Sequence, residues 1–328
     1  MKPFDAVLLV AFGGPGGRDE VRPFLQNVLR GRRVLPARVE EVAHHYELFG
    51  GRSPITELTQ RQADGLRKRL QQLGPDLPVY VGMRNWHPFL ADTLRRMAED
   101  GVRHAIGFIA AAHGSFSSCG QYRQNVAEAR AALRGERARD IAVTYVGSWY
   151  AHPAFIAANA AHVRAAAAGL PVDVRDQARL VFTAHSIPLS MAESSQYREQ
   201  LAESSRRVAE SAARTDWALV YQSRSGRPED AWLEPDVCDY LRAERTRGLR
   251  AAILCPIGFV CDHIEVLYDL DYEAAQVCRA IGLALARAQT VNDDPGFLDM
   301  MADVVRQTWE RYAGGRSLPI APGSEASR

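Results

Sequence analysis

No stretch of the chain approaches the ~20 consecutive apolar residues that a membrane-spanning helix needs. The N-terminal MKPFDAVLLVAFGG holds only a short apolar run, which fits a buried strand better than the core of a secretion signal. A cytoplasmic protein is expected. An excess of either charge is missing too: Lys plus Arg number 40 and Asp plus Glu 39, so the formal charge of +1 gives no overall field to draw in nucleic acid or an anionic membrane. Cysteine is sparse and odd in number. Cys119, Cys238, Cys255, Cys261 and Cys278 form no C-x-x-C pair, so neither a disulfide framework nor a zinc ribbon is indicated. The loop after the first apolar run is rich in glycine, yet Gly13, Gly14, Gly16 and Gly17 do not make G-x-G-x-x-G. G-x-x-x-x-G-K-[ST] and G-x-S-x-G are absent as well, leaving phosphate-cradling loops and a hydrolase elbow without support.

What the chain does contain is a series of short apolar runs of strand length. They are Ala6 to Phe12, Pro78 to Gly82, His104 to Ala112, Ile141 to Val146, Leu180 to Ala184, Ala218 to Gln222, Ala251 to Ile257 and Leu283 to Ala288. Helical patterns lie between them. One opens at Ser53-Pro54, a cap residue followed by proline at the first helical position, carries Ile55, Leu58, Leu66, Leu70 and Leu73, and stops at Gly74. Another, Pro88 to Glu99, spaces Leu90, Leu94 and Met97 at helical intervals, and a last one runs from Phe297 to Tyr312. Strands that are apolar throughout and alternate with amphipathic helices indicate parallel sheets covered on both faces. The class is therefore α/β. Eight strands could close one barrel or form two four-stranded sheets; at 328 residues two domains are expected, and two sheets are preferred because DAVLLVAFGG and ARLVFTAHSIP each open a half with a strand that runs into a loop. The expected division is 1–149 and 150–312, with a disordered tail over 313–328.

In open parallel sheets, ligands collect beyond the carboxyl ends of the strands. His185 falls at such an end, where RLVFTAHSIPLS runs from strand into a proline-containing turn. A partner for it lies in CPIGFVCDHIEVLYDLDYE, Cys255 to Glu273, which comes after another apolar run. If helical, that segment aligns Glu265, Asp269 and Glu273 at i, i+4 and i+8, and it contains no Lys or Arg to relieve them. Ile264, Val266, Leu267 and Tyr268 in the same segment argue for burial, and buried carboxylates in a row need protons or cations to offset them. A track for hard cations or protons is the reading.

TAHSIP and PIGFVCDHIEVLYDLDYE, together with LLVAFGGP, HYELFGGRSPI, SSCGQY and WLEPDV, resemble the ferrochelatases, which insert ferrous iron into a porphyrin. The similarity runs in order from about Asp5 to Arg311. It implies two similar Rossmann-like domains of the chelatase kind, each a four-stranded parallel sheet flanked by helices. The porphyrin would lie in the cleft between them, and the C-terminal helix would return to the first domain. It also implies that His185 and Glu265 face each other across the porphyrin centre as catalytic and metal-contacting residues. Asp269, Asp271 and Glu273 would relay protons or cations behind them, on a helix widened to a π-type turn. Phe12 and Trp86, the latter in the segment GMRNWHPF, would supply apolar walls. Arg30, Arg32, His45, Ser53 and Tyr122 would line the porphyrin site, His45 standing where some relatives carry arginine.

Among ferrochelatases the motifs look most like those of soluble bacterial enzymes that convert coproporphyrin III to coproheme in haem biosynthesis, with protoporphyrin IX as the alternative substrate. Several of those enzymes carry tyrosine where this chain has Phe12. The resemblance implies porphyrin and Fe²⁺ as substrates, transient handover to other haem-pathway enzymes, and a monomer without nucleic acid or transmembrane partners. No resident cofactor is expected: Cys119 matches one ligand of the [2Fe-2S] cluster of some relatives, but no cysteine follows Cys278. A cobalt or nickel chelatase is the nearest rival enzyme. A non-catalytic porphyrin carrier, the rival from another class, would not need the costly burial of His185, Glu265 and the carboxylate row.

Overall fold

Runs of Val, Leu, Ile and Ala without polar alternation can satisfy their backbone only inside a sheet that is covered on both faces. The computed structural model, which describes residues 2–31, 34–136, 139–226 and 229–314, places all eight runs in two parallel sheets. The first contains β1 (Ala6–Ala11), β2 (Val79–Met83), β3 (His104–Ile109) and β4 (Ala142–Tyr145), in the order β2-β1-β3-β4. The second contains β5 (Arg179–His185), β6 (Trp217–Gln222), β7 (Ala251–Cys255) and β8 (Ala284–Arg287), in the order β6-β5-β7-β8. The two halves thus share one topology, and in each the opening strand lies inside the sheet. Every residue of β1 and β7 is buried, whereas the edge strands β4 and β8 are only partly so.

Where strand ends differ from the expected ones, the backbone explains it. β7 stops at Cys255 rather than Ile257 because Pro256 has no amide to give to the ladder. The helix expected from Ser53-Pro54 begins at Ile55, with Pro54 in the cap position. Ser53 is instead buried, and its amide donates to the carbonyl of Pro15 at 2.9 Å, which ties the glycine-rich loop to the start of this helix. The tail from residue 315 onward lies outside the described residues.

The helix Ile55–Leu73 covers the first sheet and meets the C-terminal helix Pro295–Ala313, which also packs on Pro153–Ala168 beside the second sheet. Asp294 caps that last helix, accepting from the amides of Gly296 at 2.8 Å and Phe297 at 3.3 Å. Its apolar face, including Phe297, Met300, Met301, Val304 and Val305, belongs to one apolar cluster that also holds Leu9 and Leu66 from the first half and Phe155 and Phe182 from the second. The C-terminal helix therefore joins the two halves. At the centre of the joint, a Cβ added to Gly65 would lie 2.5 Å from Leu298 Cδ1. Gly65→Val is expected to destabilise the protein by about 1–3 kcal/mol through overpacking, read as a lower urea midpoint.

Candidate functional site

The opening strand of each half has its two neighbours reached by connections leaving in opposite directions, and that divergence opens a crevice at the carboxyl end. In the second half the crevice lies beyond β5 and β7. His185 is the last residue of β5; the Ser186 amide completes the ladder to β6 by donating to Gln222 O at 2.8 Å, and its hydroxyl donates to Leu233 O at 2.8 Å. Ser186 is thus a turn anchor. Tyr197 Oη donates to His185 O at 3.0 Å. Gly258, in the loop after β7, sits so close to this strand end that an added Cβ would be 2.6 Å from Ala184 Cβ.

The His185 ring is itself oriented. Nδ1 lies 2.5 Å from Ser186 O, and a carbonyl can only accept, so Nδ1 carries a proton and, in the neutral ring, Nε2 presents a lone pair. That lone pair faces Glu265 Oε2 at 3.9 Å. Glu265 sits in a short helical turn, Ile264–Val266, whose cap is His263: its Nδ1 accepts from the Val266 amide at 3.4 Å. The proton of His263 is then on Nε2, which points at the same Glu265 Oε2 from 3.5 Å. Burial holds the His263 pKa below its ordinary value, keeping it neutral. Glu265 is therefore flanked by a lone pair on one side and an N–H on the other. The motifs do not single out His263, although it stands two residues before Glu265.

From Leu267 to Ala274 the helix is a π-helix, and it becomes an α-helix again over Ala275–Ile281. The wider turn means that the i+4 stripe expected for Glu265, Asp269 and Glu273 is only approximate. Asp269 is deeply placed, and its Oδ2 accepts from the Ser223 hydroxyl and from Gln222 Nε2 at 3.2 Å. Gln222 Nε2 also reaches Glu265 O at 3.1 Å. Ser223 adopts a left-handed φ of 61°, unusual for a residue with a side chain, to deliver its hydroxyl there. Burial raises the Asp269 pKa to about 7, against the lowering effect of the Ser223 bond, with the Glu265 charge adding to the rise. Burial also raises that of Glu273. Asp271 is turned elsewhere, into an ion pair with Arg287 at 2.6 Å.

The first half contributes the opposite wall. The Arg84 guanidinium lies 5.9 Å from the ring centres of both Phe12 and Tyr122, bringing two of the expected porphyrin-site residues together. Arg84 belongs to the GMRNWHPF segment, where the motif draws attention to Trp86 instead. Trp86 packs its ring against Phe24 and donates to Glu20 Oε2 at 2.8 Å, a core role. Burial and then the charge of Glu265 raise the pKa of Tyr46, and Glu265 also acts on Tyr122 and, in the second half, on Tyr197, so its carboxylate lies near both halves. His45 stacks on Tyr268 of the π-helix, with ring centres 3.5 Å apart at 12°, linking the two halves beside the row. Of the remaining expected residues, Arg30 is exposed and donates to Asn27 Oδ1 at 2.8 Å, Ser53 is buried, and Arg32 lies outside the described residues.

The ferrochelatase family profile matches residues 4–309. A protein named ferrochelatase from Rhodopirellula baltica is 46% identical over 308 residues, covering 94% of this chain and 87% of the relative. Proteins named coproporphyrin III ferrochelatase from Streptomyces griseus subsp. griseus and Streptomyces coelicolor are 46% and 43% identical, covering 92% and 98% of this chain and 85% and 90% of theirs. Among solved structures, the sirohydrochlorin chelatase SirB from Bacillus subtilis subspecies spizizenii in complex with cobalt aligns with a TM-score of 0.56 at 10% identity. It covers 95% of this chain and 97% of its own, a likeness of fold alone.

The raised Asp269 pKa has a thermodynamic consequence of definite sign. Its carboxylate is disfavoured in the folded protein, so the cost is absent below about pH 4, accumulates as pH rises, and is complete above about pH 7. Asp269→Asn keeps an oxygen to accept from Ser223 and Gln222 without that cost. The variant should match the native protein in stability near pH 4 and exceed it by on the order of 1–4 kcal/mol above pH 7, measured by urea unfolding across that range.

Proposed function

The chain belongs to the ferrochelatase family, and on that premise we propose that it inserts Fe²⁺ into coproporphyrin III to give coproheme, in haem biosynthesis. The reading of the site rests on one observation: His185 Nε2 faces the Glu265 carboxylate at 3.9 Å, and the Glu265 charge reaches Tyr122 of the first half, which with Phe12 packs about Arg84. The identity of the curated relatives named coproporphyrin III ferrochelatase supports the choice of porphyrin.

Inserting a metal requires that the two pyrrole N–H protons leave and that Fe²⁺ exchange water for nitrogen. A neutral imidazole whose Nδ1–H is engaged with a backbone carbonyl is suited to the first task, since only Nε2 can take a proton. The imidazolium that forms is stabilised by Glu265, and loss of its proton restores the lone pair. The same two groups, separated by a gap that one ion with ligand bonds of about 2.1 Å can bridge, suit the second task. Among the described residues no cluster of three or more His, Cys, Asp or Glu side chains is arranged to hold a metal.

Asp269 and Glu273 take the relay role behind Glu265. A group with a pKa of about 7 gains and releases protons at neutral pH with little driving force either way, which is what a relay needs. Asp271 is the least suited of the three, because Arg287 holds its carboxylate. His45 and Arg30 are assigned to the porphyrin carboxylates, together with Arg32. The rings of Phe12 and Tyr122 pack against the macrocycle, and a rigid wall of this kind can favour the saddled ring, in which nitrogen lone pairs are exposed to the metal. The protein works as a cytoplasmic monomer that hands coproheme to the next enzyme. No described helix is long and apolar enough to cross a membrane.

Anaerobic metallation assays with coproporphyrin III and protoporphyrin IX side by side test the substrate. Faster turnover of coproporphyrin III by the native protein is the expected result, and preference for protoporphyrin IX would reverse the choice. His185→Ala should abolish iron insertion while porphyrin binding, followed by fluorescence quenching, stays within about twofold of the native protein. Retained turnover would remove His185 from the chemistry.

A further inference from the structure

The segment that carries His263, Glu265 and Asp269 is gripped at both ends by one side chain. Arg287 is the last residue of β8, only 15% exposed, and all three of its guanidinium nitrogens are engaged. Nε and Nη2 form a two-pronged pair with Asp271 at 2.6 and 2.7 Å, and Nη1 donates to Asp262 Oδ1 at 3.0 Å. Asp262 immediately precedes His263, and Asp271 lies inside the π-helix. The grip is itself braced. Asn292 donates from Nδ2 to Asp262 Oδ2 at 3.0 Å and accepts the Asp262 amide on Oδ1 at 2.9 Å, from a left-handed backbone with φ 42°. Gln62, fully buried on a helix of the first half, donates to Asn292 O at 2.7 Å.

Largely desolvated ion pairs such as Arg287–Asp262 seldom stabilise a fold by much, because taking the charges out of water costs about what their attraction returns, and Asp271, 34% exposed, stays partly in water. What a planar guanidinium does supply is geometry: two carboxylates held at fixed angles, which an ammonium cannot reproduce. We propose that Arg287 is a positioning residue for metal insertion, holding Asp262 and Asp271 so that His263 and Glu265 project toward His185. The proposal rests on the reading of Glu265 as a reacting group. If the clamp is released, the π-helix loses the contact that holds Asp271.

Arg287→Lys keeps the positive charge and loses the fork. It should lower kcat for iron insertion roughly 10-fold or more, with the porphyrin Kd from fluorescence quenching unchanged within about twofold. Adding Asp262→Asn to Arg287→Lys should cost no more than Arg287→Lys alone, since both break one clamp. A native kcat, a loss of kcat matched by an equal loss of porphyrin affinity, or additive losses in the double variant would each overturn the proposal. Should Arg287→Lys fail to fold, Asp262→Asn alone, which leaves the Arg287–Asp271 pair, carries the same test of kcat against porphyrin Kd. Glu265→Gln separates the premise: native turnover in that variant would sink the reading of the site, whereas a silent Arg287→Lys beside an inactive Glu265→Gln would sink only this proposal.

Discussion

One hydrogen bond sets the character of the site. Because the His185 Nδ1 proton goes to the carbonyl of Ser186, the lone pair of the neutral ring is on the other nitrogen, which faces a carboxylate. Two electron-rich groups facing each other are stable neighbours only when something positive shares the gap. A proton or a divalent ion can do so, and a metal chelatase handles both in turn. Placing this pair beyond β5 and β7 is a result of the parallel sheet, whose strand ends are where loops diverge and where backbone groups are left for substrates.

The carboxylates behind Glu265 are kept at that position by opposing costs. Burial pushes Asp269 and Glu273 toward the protonated form, while Ser223 and Gln222 donate to Asp269 and draw it back. The outcome for Asp269 is a carboxyl group that titrates near neutrality rather than one locked in either state. Ser223 accepts a strained backbone to make its bond, and Arg287 accepts burial to hold Asp271 away from the row. Strain and desolvation of this sort concentrate where geometry matters more than stability.

Much of this is legible in the linear chain. All eight strands fall within a few residues of the apolar runs, since a doubly covered parallel strand has no polar alternation to disguise it. His185 and Glu265 are legible because the motifs around them are specific, and the carboxylate row because three unrelieved acids at i, i+4 and i+8 are conspicuous. His263 is harder to see: nothing in a lone histidine of an acidic segment says that one of its nitrogens caps a turn while the other reaches the next carboxylate. Ser53 reads as a helix cap and an anchor, but its amide is taken by Pro15, from a loop 38 positions earlier.

The sequence by itself determined the class of fold, the strand sequence of both halves and the pair His185 and Glu265 that the fold brings within 3.9 Å of each other, because hydrophobic periodicity and short motifs are local properties. Only the tertiary structure decided which nitrogen of His185 is free, that Asp271 belongs to Arg287 and not to the row, and that Arg84 joins Phe12 and Tyr122 in one wall. Those outcomes depend on distances between residues far apart in the chain, and hydrogen bonds, ion pairs and burial are functions of distance rather than of order along the backbone.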